Sequence, residues 1–63
     1  MWITHDLPPG SLVDILDATG RELWNGRSST TGSELLPVPV FGTGVYILRL
    51  SSGERVETTR FVE

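Results

Sequence analysis

Cysteine is absent from the 63 residues, and histidine occurs once, at His5. Without cysteine the chain forms neither a disulfide nor a thiolate metal site, and one imidazole does not supply the ligand set of an ordinary zinc centre. We therefore expect no metal and no other cofactor. A chain this short buries only about 60% of its unfolded surface, so its stability should be marginal. Strands from another copy, or from a parent protein, are the expected extra support.

Positive charge and long apolar runs are also scarce. The five basic residues are all arginines spread along the chain, the net charge is -3, and the isoelectric point is near 4.9. Because phosphate binding needs clustered Lys and Arg, we expect no nucleic-acid partner. No stretch approaches the roughly 20 apolar residues of a membrane span, and the first residues do not resemble a signal peptide. We expect no stable membrane insertion, and we expect the export signal of any exported form to lie upstream.

No constellation of catalytic side chains is recognisable, and we expect the protein not to be an enzyme. His5 has no nucleophile pattern around it, so we give it no role beyond an incidental one. Asp14 and Asp17 stand three apart on a strand and its turn, which sends the two carboxylates to opposite faces. Asp17 is expected to form a turn, and Asp14 is expected to face water.

What the chain does contain is turn residues and strand formers. Seven glycines and four prolines accompany 38% apolar residues, while the scarcity of Ala, Lys and Gln disfavours helices. We predict one domain over residues 1–63, all-β, with about six strands in a small antiparallel immunoglobulin-like β-sandwich that strands of another chain would complete. The predicted strands are Trp2–His5, Ser11–Leu16, Arg21–Trp24, Glu34–Val40, Val45–Leu50 and Arg55–Val62.

Local signals assign faces and turns to several of these strands. Val13 and Ile15 alternate on the cleaner apolar face and should point inward. Asp17-Ala18-Thr19-Gly20 has a turn-forming Asp first and a glycine fourth, and Asn25-Gly26 is a second turn signal. The polar stretch Arg27 to Ser33 is predicted to be a mobile loop. The prolines after Glu34 restrict the fourth strand to an edge or an extended segment.

The last two strands should form a hairpin around Ser51-Ser52-Gly53. A three-residue loop would pair Leu48 with Val56 and Tyr46 with Thr58, whereas a two-residue loop would set Arg49 opposite Val56. We favour the three-residue loop for its apolar match. That register carries one cost, because it also opposes Arg49 to Arg55.

The order of motifs from Val13 to Val62 resembles a known family. An aliphatic strand, the Asp-x-x-Gly-Arg turn at Asp17 to Arg21, a second strand, a variable loop, the Gly44-Val45-Tyr46 strand and a last strand with Arg60, Phe61 and Val62 follow one another. In this order they resemble the carboxyl-terminal sorting domain of type IX secretion cargo proteins, also called the Por secretion system sorting domain. Family domains usually begin further upstream, with a Pro-Asn-Pro motif and one or two additional strands, whereas this chain offers only Leu7-Pro8-Pro9-Gly10.

The resemblance implies a non-catalytic secretion signal. Such a domain is recognised by the type IX outer-membrane translocon and removed by a surface sortase, so those proteins are the expected partners. It also implies a protein that passes through the periplasm and is secreted or held at the cell surface. The candidate recognition residues are Gly44, Tyr46, Arg60, Phe61 and Val62, with Tyr46 in a structural position. The open strand edges also predict a homodimer.

Two other functions remain open at this point. The chain could be a structural immunoglobulin-like spacer or adhesion module of a surface protein. It could instead be a small carbohydrate-binding module, because the flat rings of Trp24 and Trp2 suit a sugar face, although core packing is the commoner role for such rings. Arg49, Arg55 and Arg60 form either a basic edge for a partner or three separately solvated charges.

Overall fold

The computed structural model describes residues 1–63 and consists of strands and connecting loops. No helix in it has the length and apolar character that crossing a membrane requires. The strands agree with the predicted number, and the first and last have the predicted bounds. In chain order they are β1 (Trp2–His5), β2 (Leu12–Asp17), β3 (Glu22–Arg27), β4 (Gly32–Leu35), β5 (Val45–Ser52) and β6 (Arg55–Val62).

The strands form two antiparallel sheets, which confirms the all-β class. β1 pairs with β4 in a two-stranded sheet, and the other sheet has the order β3-β2-β5-β6. In the larger sheet β2 and β5 are central, while β3 and β6 are edges. The two central strands carry most of the aliphatic residues of this sheet, as expected for strands covered on at least one face.

The core lies where side chains of both sheets and of two loops meet. Val13 and Ile15 on β2 are fully buried, which confirms the predicted inward face. The central cluster consists of Ile3, Leu7, Val13, Leu36 and Leu50, with Met1, Trp24, Val38 and Leu48 packed against it. Ile3 comes from the small sheet and Val13 from the large one, so the cluster joins the two sheets through hydrophobic contact.

The turn between β2 and β3 has the predicted chemistry. The Asp17 carboxylate accepts hydrogen bonds from the backbone amides of Thr19 and Arg21, both at 2.9 Å, and from the Thr19 hydroxyl at 2.6 Å. Gly20 has φ of 90°, a left-handed conformation that glycine adopts without a Cβ penalty. The Thr19 hydroxyl above all, then the Arg21 amide, holds the pKa of Asp17 below its ordinary value. Asp17 is therefore the turn former that the sequence predicted.

The predicted Asn25-Gly26 turn is wrong, since β3 runs through both residues to Arg27. Gly26 lies opposite Val13, and Asn25 lies opposite Asp14. A Cβ on Gly26 would stand 2.6 Å from the Trp24 indole ring. Gly26 therefore does not form a turn. It leaves space for the ring of Trp24, which lies two residues earlier on the same face of the strand.

The predicted register of the last hairpin is also wrong. The turn is Gly53-Glu54, Ser52 pairs with Arg55, and Ser51 and Ser52 belong to β5. Gly53 has φ of 59°, and no residue other than glycine has a positive φ, which is the pattern of a two-residue type II′ turn. Arg49 consequently lies opposite Thr58, so the like-charge pair with Arg55 does not form.

The predicted fourth strand, Glu34–Val40, is mostly wrong, because only Glu34 and Leu35 of it lie in β4 and both prolines follow the strand. β4 ends at Leu35, and residues 36–44 contain no strand. The Leu36 amide and carbonyl both bond Met1, through its carbonyl and its ammonium group. The predicted loop from Arg27 to Ser33 is shorter than expected, because β4 already begins at Gly32.

Candidate functional site

Three of the five candidate residues meet at one end of the large sheet. Tyr46 on β5 lies opposite Phe61 on β6, and their rings stack with centroids 5.6 Å apart. The Tyr46 ring also contacts Phe41 at 5.6 Å, and its hydroxyl donates a 2.9 Å hydrogen bond to the Gly42 carbonyl. Phe41, Tyr46 and Phe61 thus form an aromatic cluster that ties the loop before β5 to the terminal strand.

Gly44 belongs to the same end through its backbone. Its amide and carbonyl exchange hydrogen bonds with those of Glu63, at 3.1 and 2.9 Å. Its Cα also faces Tyr46, because a Cβ at this position would contact the phenolic oxygen at 3.5 Å. Gly44 therefore extends the β5–β6 ladder by one more pair and fixes where the chain's last residues lie.

The other two candidate residues, Arg60 and Val62, point to the opposite face of the sheet. Side chains alternate along a strand, so Arg60 and Val62 project away from the aromatic cluster, opposite Ile47 and Val45. Val62 is 71% exposed, and Arg60 makes no ion pair. The terminal strand thus presents an unpaired cation and an exposed aliphatic side chain on one face, and an anchored aromatic ring on the other.

The three arginines of the last hairpin do not form one basic surface. Arg49 bonds the Asp14 carboxylate at 3.2 Å across the β2–β5 pair, and the Asp14 side chain is only 15% exposed. Asp14 lies on the face opposite Val13 and Ile15, as expected, but it is only partly exposed because Arg49 pairs with it. Arg55 bonds Asp6 at 3.3 Å and Glu57 at 3.1 Å. Only Arg60 is left with its charge unpaired on the terminal strand.

His5 is buried and part of a hydrogen-bonded network, which overturns its interpretation as an incidental surface residue. The Leu7 amide donates to its Nδ1 at 3.2 Å, so the neutral ring carries its proton on Nε2. That nitrogen lies 3.4 Å from the buried Glu34 carboxylate, on the neighbouring strand of the small sheet. The signal that could have revealed this pair is the inward alternation of β1, where Ile3 and His5 share a face.

Glu34 also belongs to this network, and it binds Ser29 in the loop before β4. Its carboxylate accepts hydrogen bonds from the Ser29 amide at 3.0 Å and the Ser29 hydroxyl at 2.8 Å. The Ser29 amide and hydroxyl, followed by His5, hold the pKa of Glu34 below its ordinary value against the opposing effect of burial. The network thus joins β1, β4 and the preceding loop.

The two tryptophans occupy different surroundings and do not form one platform. Trp24 on β3 is partly buried against the core cluster, while Trp2 on β1 is 71% exposed. Trp2 pairs with Leu35, which is also exposed, on the solvent face of the small sheet. Of the two tryptophans, Trp2 therefore offers the larger exposed ring surface to a ligand.

The remaining geometry of the surface is simple. The structure contains no pocket, and it brings no three His, Cys, Asp or Glu side chains close enough together to hold a metal ion. The features available to a partner are therefore strand edges and exposed side chains. Comparisons with protein-family models, with curated proteins and with solved structures each found no match to this chain.

Proposed function

We propose that this chain is a non-catalytic sorting domain of the type IX secretion kind, recognised through its terminal strand. The observation that carries the proposal is the placement of the family-like residues around β6. Gly44, Tyr46 and Phe61 anchor the strand, whereas Arg60 and Val62 remain exposed on it. Anchoring and display on one strand are what a folded recognition signal requires.

Recognition by strand addition fits this arrangement. β6 is an edge strand, so one side of its backbone lacks a neighbour. An open edge offers amides and carbonyls to a partner strand, while side chains on the two faces add specificity. In this proposal the translocon component contributes the pairing strand, and the unpaired charge of Arg60 favours an acidic partner surface. A surface sortase then removes the domain, so the covalent chemistry belongs to that partner.

The proposal also includes a more specific fold and a cellular location for the protein. The two sheets and their shared core are interpreted as an immunoglobulin-like sandwich that an additional strand would complete. The protein would pass through the periplasm and reach the cell surface or the medium. The structural spacer differs in one respect that can be measured, because a spacer needs no particular residues at the end of β6.

A secretion assay tests the proposal. A fluorescent reporter that carries its own inner-membrane export signal is fused upstream of the chain in a type IX-competent cell, beside the same fusion without Thr58 to Glu63. We expect export of the first and periplasmic retention of the second. Retention of both fusions, with the intact domain shown to be folded by circular dichroism, would contradict the sorting function and favour the spacer.

A second candidate function rests on the exposure of Trp2. An exposed indole beside Leu35 offers a flat apolar surface that suits one face of a sugar ring. The measurement is glycan-array binding of the intact chain and of Trp2→Ala, with Trp24→Phe as the comparison. Binding that is lost only in Trp2→Ala would support this function, and an array without binding would remove it.

A further inference from the structure

The open side of β6 lacks most of the features that protect edge strands from pairing. Protected edges are usually short, bulged or interrupted by proline. β1 and β4 have four residues each, and β3 borders a register shift next to Ile15. β6 instead runs for eight residues without proline, and its pairing with β5 has no irregularity.

The backbone groups that face this open side can be assigned. Gly44 and Glu63 exchange both of their backbone hydrogen bonds. In an antiparallel ladder such pairs recur at every second residue. Since the β5–β6 register is regular, the odd-numbered residues of β6 bond β5. The amides and carbonyls that point outward therefore belong to Val56, Thr58, Arg60 and Val62.

We propose that β6 pairs antiparallel with β6 of a second copy of this chain, with Val56 opposite the partner's Val62. A two-fold axis perpendicular to the sheet relates two such strands and keeps equivalent faces on the same side. Even-numbered residues then oppose even-numbered residues, and Thr58 lies opposite the partner's Arg60. Every outward amide and carbonyl of β6 gains a partner, and the two large sheets become one continuous sheet.

Side-chain complementarity selects this register. Val56 is 59% exposed and Val62 is 71% exposed, so their pairing removes apolar surface from water. On the other face Arg55 lies opposite the partner's Glu63, which is an attractive pair. Thr59 lies on the two-fold axis, opposite its own equivalent. No like charges oppose each other anywhere along the pair.

The neighbouring registers are less favourable. If Val56 lies opposite the partner's Arg60, Val62 has no partner within the strand. If Arg60 lies opposite its own equivalent, Glu57 also lies opposite the partner's Glu63. If Val56 lies opposite the partner's Thr58, Glu57 lies opposite its own equivalent. Like charges directly opposed across a sheet are destabilising, so only the proposed register combines full length with compatible charges.

The dimer is independent of the proposed secretion function, although both use the same edge. A solution mass or a cross-link carries no information about export, so either idea can fail while the other holds. If both hold, self-pairing and recognition by another strand compete for β6.

Disulfide cross-linking tests the register, because the chain has no cysteine of its own. In the proposed dimer Thr59 and its equivalent form a non-hydrogen-bonded pair with Cα atoms about 4.5 Å apart, within disulfide range. Thr58 and its equivalent are offset by two residues, roughly 8 Å apart, which exceeds that range. Thr59→Cys should therefore form a covalent dimer on mild oxidation, and the matched control Thr58→Cys should not. Cross-linking of Thr58→Cys instead would overturn the register.

Sedimentation of the intact chain tests the dimer itself. We expect a mass that rises from monomer to dimer with concentration. Thr58→Pro removes the outward Thr58 amide, which does not bond β5. Because the interface is two-fold symmetric, the dimer loses this interchain hydrogen bond twice. The dissociation constant of the dimer should therefore rise at least about tenfold. Thr58→Val keeps the amide and is the control. A concentration-independent monomer mass for the intact chain would overturn the proposal, and the cross-link decides the register if Thr58→Pro does not fold.

Discussion

Replacing Gly26 by alanine tests whether the Trp24 ring determines the residue at this position. In an open strand the change should stabilise the protein by roughly 0.5–1 kcal/mol, because glycine loses more conformational freedom on folding than alanine does. Here the new methyl group would lie 2.6 Å from Cη2 of Trp24 and 3.1 Å from Cζ2. Carbon atoms pack at about 3.5–4.0 Å, so the indole must move by roughly 1 Å.

That movement has a cost because Trp24 packs against the core cluster. Overpacking of this kind typically costs about 1–3 kcal/mol. In a domain of this size 1 kcal/mol shifts the melting temperature by about 4–8 °C. We therefore expect Gly26→Ala to lower the melting temperature by several degrees, where the propensity effect alone would raise it.

Thermal unfolding followed by circular dichroism measures the change, and tryptophan fluorescence reports the displacement of the ring. The control is Gly26→Ala in a Trp24→Val background, where the clash is absent and the substitution should be neutral or slightly stabilising. The difference between the two backgrounds isolates the Gly26–Trp24 interaction. A higher melting temperature for Gly26→Ala in the otherwise unchanged chain would refute the assignment.

Three further predictions concern stability. Ile15→Ala removes a fully buried side chain and should cost about 2–5 kcal/mol in chemical denaturation, enough to unfold much of a marginal domain. Tyr46→Phe keeps the ring stacking but loses the bond to the Gly42 carbonyl, so we expect a loss of about 0.5–1.5 kcal/mol in the same assay. Acid should destabilise the fold, because hydrogen bonds lower the pKa values of Asp17 and Glu34 from their ordinary values of 3.8 and 4.5. The stability that the two ionised carboxylates add to the fold is fully present when the pH is above those ordinary values. It is lost as the pH falls through the lowered pKa values. Melting temperatures between pH 6 and pH 2 measure this, and Asp17→Asn should flatten the dependence; an unchanged slope in that variant would contradict the assignment.

The strands whose residues carry strong local signals could be predicted from the sequence. The Asp17 turn depends on a side chain that bonds its own backbone, and the inward alternation of Val13 and Ile15 depends only on the period of a strand. The bounds of β6 could be predicted because a glycine-containing turn signal precedes it and the segment Arg55–Val62 contains neither glycine nor proline. Such features are local, so neighbouring residues alone determine them.

Features that depend on distant partners could not be predicted in this way. Asn25-Gly26 carries a turn signal, but pairing with β2 and the Trp24 ring make it part of a strand. The predicted hairpin register is wrong because it pairs Val56 with Leu48 for an apolar match, whereas Val56 lies opposite Ser51 and is exposed. Within the candidate site, Tyr46 and Phe61 could be named from the sequence. Their stacking, and the addition of Phe41, depend on the register and on the glycine loop before β5.

Secretion of a fluorescent reporter fused upstream of the chain tests most directly whether the end of β6 acts as an export label. The decisive variant is Arg60→Gln with Val62→Thr, because Arg60 makes no ion pair and Val62 is largely exposed, so the fold should be retained. Arg21→Gln with Val40→Thr is the control, since these side chains are also exposed but lie outside the terminal strand, and Arg21 makes one surface ion pair, with Asp17 at 3.4 Å. With equal melting temperatures, we expect export of the intact and control fusions and periplasmic retention of the β6 variant. Equal export of all the fusions would contradict recognition through the terminal strand.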